Sequence, residues 1–225
     1  TDTEAEVRAF ARRAVNPVAD DPSIHCAALC VWSNFAVVAA EELAGSGVGL
    51  ACVAGAFPHA QAPLEVKVAE IQWAVAAGAT EIDVAISRGR LLAGDEGRVA
   101  DELAAMKAAC GSARLKVILE TCDLVEEKVI RRGCEVALEN GADFLKTSTG
   151  MGSHGAKPEH ARVLFAAARD WHAATGRVIG VKPAGGIRTY DEAAAYVDLA
   201  ARYLPEVTPE TFRIGASGLL DELLG

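Results

Sequence analysis

Long apolar runs are absent. Nowhere do about 18 consecutive apolar residues occur, so no segment is expected to cross a bilayer as a helix. Positive charge is scarce as well. Twenty-two Lys and Arg face 31 Asp and Glu, a formal net charge of −9, which argues against a nucleic-acid surface or an anionic membrane partner. The five histidines (His25, His59, His154, His160, His172) form no HxH or HExxH spacing. The six cysteines (Cys26, Cys30, Cys52, Cys110, Cys122, Cys134) form no CxxC pair. Neither a metal site nor a cofactor is therefore expected. No GxGxxG follows the first strand-like run, which removes the usual dinucleotide signal. Trp32, Trp73 and Trp171 are read as core or helix-packing residues. No stretch reads as a secretory signal, and thiols scattered through apolar runs suit a reducing cytoplasm.

What is present alternates. Seven short apolar runs read as strands: 28–32 (ALCVW), 49–54 (GLACVA), 81–86 (EIDVAI), 115–121 (LKVILET), 144–149 (FLKTST), 178–183 (VIGVKP) and 212–217 (FRIGAS). They are continuous rather than alternating, as in parallel strands covered on both faces. Helical stretches lie between them at 63–77, 95–110, 126–140 and 158–175. The last opens with Pro158 and stops at Gly176, the expected asymmetry of helix ends. In the first of these, Leu64, Val66, Val68, Ile71 and Val75 form the apolar set. The chain opens with another helix, capped by Thr1 or Thr3, whose apolar face is Val7, Phe10, Ala11 and Ala14.

Strand–helix units of this kind build either an open doubly wound sheet or a closed (β/α)₈ barrel. At 225 residues the chain fits one domain. A barrel needs eight strands, and the opening helix has no strand before it. The expectation is an α/β fold, a TIM (β/α)₈ barrel with its first strand missing from this chain.

Parallel α/β folds carry reactive groups at the C-terminal ends of their strands. The ionisable residues there are Asp83, Lys116, Glu120, Lys146, Lys182 and Arg213. A lysine in a buried strand is costly unless paired. Lys146 and Lys182 both qualify, and inside a barrel both would point at one axis. A free lysine titrates at about 10.4. A neighbouring cation and partial desolvation each favour the neutral amine that a Schiff-base nucleophile needs. The competing reading makes each lysine half of a structural ion pair. Asp83 offers a carboxylate to hold a lysine or relay protons. Lys116 and Glu120, an even spacing apart, are expected to form a supporting pair.

Glycine-containing loops follow the last three of these strands: Ser148–Gly150, Gly185–Arg188 and Gly215–Gly218. Glycine lets backbone N–H groups approach an anion, and barrels commonly hold phosphate after their last two strands.

EIDVAI, LKVILET, GADFLKTSTG, GVKPAGGIRT and RIGASGLL together resemble deoxyribose-phosphate aldolase, in order and spacing, from about Thr3 to Leu220. KTSTG joined to KPAGGIR is the most specific part. The resemblance implies a TIM barrel and a metal-free class I aldolase, one that reversibly cleaves 2-deoxy-D-ribose 5-phosphate to D-glyceraldehyde 3-phosphate and acetaldehyde in deoxyribonucleotide breakdown. It implies Lys146 as the Schiff-base lysine, Lys182 as the lysine that perturbs it, and Asp83 in the proton relay. It places phosphate against Gly150, Gly185, Gly186, Ile187, Arg188, Gly215, Ser217 and Gly218, and puts Cys30 near the pocket, where an aldehyde product can reach it. Met151 stands where some family members carry lysine. The partners expected are small phosphorylated sugars and aldehydes. Apolar surface on outer helices would mark a homodimer. Two other readings stay open: a lysine aldolase for another phosphorylated sugar, and a non-catalytic barrel that binds sugar phosphates.

Overall fold

A computed structural model describes residues 2–224. Six parallel strands lie in chain order: β1 (Ala28–Trp32), β2 (Gly49–Ala54), β3 (Glu81–Ala85), β4 (Arg114–Ile118), β5 (Phe144–Lys146) and β6 (Gly180–Lys182). Around them run α1 (Glu4–Val15), α2 (Ala36–Leu43), α3 (Leu64–Ala76), α4 (Arg88–Leu92), α5 (Glu96–Cys110), α6 (Thr121–Leu124), α7 (Glu127–Glu139), α8 (Pro158–Thr175), α9 (Tyr190–Tyr203) and α10 (Leu219–Leu224). A sheet whose neighbours are sequential and parallel is the wall of a (β/α)₈ barrel.

The seventh strand-like run is held to β6 by isolated parallel bridges, Val181 to Phe212 and Ala184 to Gly215. Pro183 explains why the ladder is broken. Val181 N–H donates to Thr211 C=O and Arg213 N–H to Val181 C=O; beyond the gap, Gly215 N–H donates to Pro183 C=O. The rung between them needs an N–H at residue 183, and proline has none. Among the described residues no strand pairs with the outer edge of β1, so the wall is not closed there.

Local chemistry sets the helix ends. Thr3 and Glu6 form a capping box on α1: Glu6 N–H donates to Thr3 Oγ1 at 3.3 Å, and Thr3 N–H to Glu6 Oε2 at 2.7 Å. Thr1, the other candidate cap, lies outside the described residues. Thr189 and Glu192 repeat the box on α9. On α1, Val7, Ala11 and Ala14 are buried as expected, but Phe10 is exposed.

The expected apolar face of α3 is only partly right. Its buried residues are Lys67, Ile71 and Ala74, while Val66 and Trp73 are exposed. Lys67 stays inside because its ammonium donates to Glu102 Oε2 at 3.0 Å and Ser87 Oγ at 3.2 Å. Trp32 is likewise exposed rather than core. None of the described helices is long and apolar enough to cross a membrane.

Strand side chains divide by parity. Ile82, Val84, Leu115, Val117, Leu145 and Val181 join the main apolar core beneath the helices. Their alternates, Glu81, Asp83, Lys116, Phe144, Lys146 and Lys182, face one another inside the arc. Phe144 fills the arc only because residue 180 has no side chain: a Cβ there would lie 2.2 Å from the ring. Gly180→Ala is therefore expected to destabilise the fold by about 1–3 kcal/mol through overpacking. Urea unfolding measures it, and an unchanged midpoint would contradict this account of Phe144.

Candidate active site

Strand register brings the charged residues together. Asp83 is level with Lys116, and Lys146 is level with Lys182. Asp83 is fully buried and shared three ways. Lys116 Nζ donates to Oδ1 at 2.7 Å; Lys146 Nζ and Lys182 Nζ donate to Oδ2 at 2.8 Å and 3.1 Å. Lys146 and Lys182 are themselves almost completely buried.

Lys146 and Lys182 titrate in opposite directions. Burial pushes the Asp83 carboxyl up, but the ammonium groups of Lys116, Lys146 and Lys182 overcome this and hold it well below the usual carboxylate range. Burial lowers Lys146; Asp83 pulls it back up and Lys182 pushes it down again, and the net shift is downward. Burial also lowers Lys182, yet Asp83 and Cys30 outweigh it and its ammonium is strengthened. The pair therefore divides into an amine that releases its proton more readily and one that keeps it.

A second charged layer lies one pleat below. Glu81, two residues from Asp83 on the same face, pairs with Lys116 and accepts from Arg213 Nη1 at 2.7 Å. The Arg213 guanidinium also stacks 5.1 Å from the Phe144 ring centre. Burial raises the Glu81 carboxyl, but Lys116 and Arg213 bring it below its ordinary value. Glu81 was absent from the sequence-derived candidates. Its signal was there in the even spacing of Glu81 and Asp83 within EIDVAI.

The expected pair of Lys116 with Glu120 does not form. Strand β4 ends at Ile118, and Glu120 adopts left-handed backbone (φ 52°, ψ 65°), so the alternation that would place it beside Lys116 is broken. Lys116 serves Asp83 and Glu81 instead, and Glu120 accepts hydrogen bonds from Thr149.

The glycine loops meet above the lysines. Gly150, Gly185 and Gly186 all hold positive φ. A Cβ on Gly185 would lie 3.1 Å from the Gly155 Cα and in ordinary contact with the Gly150 Cα, and a Cβ on Gly155 would strike the Gly185 carbonyl at 2.0 Å. Gly215 abuts the Lys182 side chain; a Cβ there would lie 2.9 Å from its Cε. Among the described residues, the N–H groups of Gly150, Gly186 and Ile187 have no protein acceptor. The Arg188 N–H is spent on Glu192 Oε2 at 2.8 Å, and its side chain is exposed. Ser217 and Gly218 lie exposed just before α10. Ile187 is buried.

Cys30 reaches the same centre from β1, its Sγ 4.0 Å from Asp83 Oδ2. It also lines a cavity of about 380 Å³ whose wall includes Val31, Trp32, Val53, Phe57 and Met151.

Removing the shared carboxylate charge would leave three buried ammonium groups without their common partner. Asp83→Asn is expected to cost about 3–5 kcal/mol at pH 7. The folded-state pKa of Asp83 is depressed, so its contribution is present above the unfolded value of about 3.9 and is lost as pH falls through the folded value. Urea midpoints of wild type and variant should therefore converge below about pH 4. A gap that stays constant would sink the assignment.

Comparison with known proteins shows the family to which the chain belongs. The family described as DeoC/LacD family aldolase matches residues 1–221. A Caenorhabditis elegans protein named "Putative deoxyribose-phosphate aldolase" is 46% identical over 227 residues, covering 99% of this chain and 75% of that protein. The Mus musculus protein named deoxyribose-phosphate aldolase is 41% identical over 221 residues, covering 96% of this chain and 69% of its own length. The solved tetrameric deoxyribose phosphate aldolase of Aeropyrum pernix is 30% identical, with a TM-score of 0.76, over 99% of this chain and 85% of that one. The chain belongs to the DeoC/LacD aldolase family.

Proposed function

We propose that the chain reversibly cleaves 2-deoxy-D-ribose 5-phosphate to D-glyceraldehyde 3-phosphate and acetaldehyde through a Schiff base on Lys146. One observation carries the reading: Lys146 and Lys182 are buried together on a single carboxylate oxygen of Asp83, and burial with the Lys182 charge makes Lys146 the more readily deprotonated of the two. Family membership supports the reaction class, and the names of the relatives support the substrate.

The neutral Lys146 amine adds to the C1 aldehyde of the open-chain sugar, and loss of water gives a protonated imine. Lys182, whose ammonium is strengthened, can supply the proton that the departing hydroxide needs. The C3 hydroxyl proton then leaves toward Asp83 through water, the C2–C3 bond breaks, and its electrons neutralise the imine as an enamine. Glyceraldehyde 3-phosphate departs. The same route returns one proton to C2, and hydrolysis frees acetaldehyde and the amine. Because the proton lost from O3 is matched by the one gained at C2, Asp83 need only relay it. A carboxylate of such low basicity suits a relay better than a store.

The substrate phosphate lies against the loops of Gly150, Gly185, Gly186, Ile187, Gly215, Ser217 and Gly218, with the unpaired N–H groups as donors. Arg188 contributes its guanidinium, since its N–H caps α9. Cys30, beside Asp83 and lining the adjacent cavity, is placed to add its thiol to a product aldehyde. All six thiols are free, in keeping with a reducing cytoplasm.

Borohydride trapping with acetaldehyde, read by peptide mass spectrometry, should add an ethyl group at Lys146 and nowhere else in the site. Lys146→Ala should lose both the adduct and cleavage by at least about a thousandfold. Sugar-phosphate binding without an adduct or turnover would instead identify a non-catalytic barrel.

The exposed Val66, Ala69 and Trp73 share one face of α3. This apolar stripe supports a homodimer. Sedimentation should show a dimer that Trp73→Glu converts to monomer; a wild-type monomer would refute it.

A further inference from the structure

We propose that Glu120 is a positioning residue, holding the loop between β5 and α8 in the shape that receives the substrate phosphate; this rests on the aldolase reading above. Glu120 is one of four non-glycine residues with positive φ among those described, a conformation that L side chains adopt only when their surroundings enforce it. It is buried, yet no lysine or arginine among the described residues pairs with it. Its acceptors are spent on the loop. Thr149 N–H lies 3.4 Å from Oε1 and 3.3 Å from Oε2, and the Thr149 hydroxyl donates to Oε2. Thr149 Oγ1 in turn accepts the Met151 N–H at 3.0 Å.

Gly150 is the residue between these two clamped positions. Its φ is 86°, and its own N–H has no acceptor among the described residues. Glu120 thus draws the amides on either side of Gly150 inward and leaves the Gly150 amide for another anion. The clamp is tightly packed. A Cβ on Gly152 would lie 3.2 Å from Glu120 Oε1 and 2.5 Å from Cys122 Sγ, so the loop folds directly onto the carboxylate. The Cys122 thiol adds a contact to Oε1 at 3.5 Å. A buried acceptor that holds one wall of an anion site from behind is a device for preorganisation, because it fixes donors before the ligand arrives.

The role predicts a split between substrates. Glu120→Ala should raise KM for 2-deoxyribose 5-phosphate by about tenfold or more, the loss of one to two hydrogen bonds' worth of positioning. Its kcat, and its kcat/KM for unphosphorylated 2-deoxyribose, should stay within about twofold of wild type. Glu120→Gln keeps an acceptor for Thr149 N–H and a donor for Thr149 Oγ1, and should recover most of the lost affinity. Thr149→Ala, which cuts the link to Met151, should reproduce the KM split if Glu120→Ala does not fold. Equal losses with both substrates, or an unchanged KM for the phosphorylated one, would overturn the proposal. Trapping of acetaldehyde on Lys146 separates the two layers of inference. Normal trapping with no KM split defeats the role of Glu120 alone, whereas no trapping in the wild type defeats the aldolase reading itself.

Discussion

Everything in the polar interior depends on one buried carboxylate answering three ammonium groups. With all four groups ionised, the Asp83 cluster carries excess positive charge in a largely buried place. Such a cluster relieves itself most easily by giving up a proton, and the amine that gives it up is the one least supported. Lys116 is supported from below by Glu81, and Lys182 is strengthened by Asp83 and Cys30. Lys146, lowered by burial and by the neighbouring Lys182 ammonium, is the one whose affinity for a proton falls. The asymmetry is a property of the group, not of either lysine alone.

Much of this was legible because it is written locally. Caps and stops need only residues a few positions apart, so Pro158, Gly176 and Thr3 as one of two candidate caps could be read directly. Lys146, Lys182 and Asp83 stood out because a charge in an apolar strand demands a partner. What could not be read depended on where a strand ends or on a remote partner. Lys116 and Glu120 looked like neighbours only while β4 was taken to run as far as Thr121; its end at Ile118 removes the parity argument. Val66 was read into the apolar face of its helix, but Glu102, 35 residues from Lys67, lets that lysine be buried while Val66 faces outward.

Backbone chemistry accounts for two further features. Pro183 follows the reactive-strand lysine directly and removes a single rung, which explains why a run that reads as a strand is held only by isolated bridges. Gly180 has no turn to make; its lack of a side chain makes room for Phe144, whose ring floors the polar interior and receives Arg213. The loop glycines differ, since their positive φ values let the Gly150 and Gly185 turns pack against each other.

The cluster is assembled from distant parts of the chain. Lys146 lies 63 residues from Asp83, Lys182 lies 99, and Arg213 lies 132 from Glu81. Contacts of such long range form late, because each closes a large loop before it gains anything in return. Until then Lys146 is an ordinary lysine in water, protonated and inert toward carbonyl compounds. A chain emerging from the ribosome among cellular aldehydes is thus protected at this position by its own incompleteness. Its amine is sensitised only when the strands carrying Asp83 and Lys182 have docked beside it.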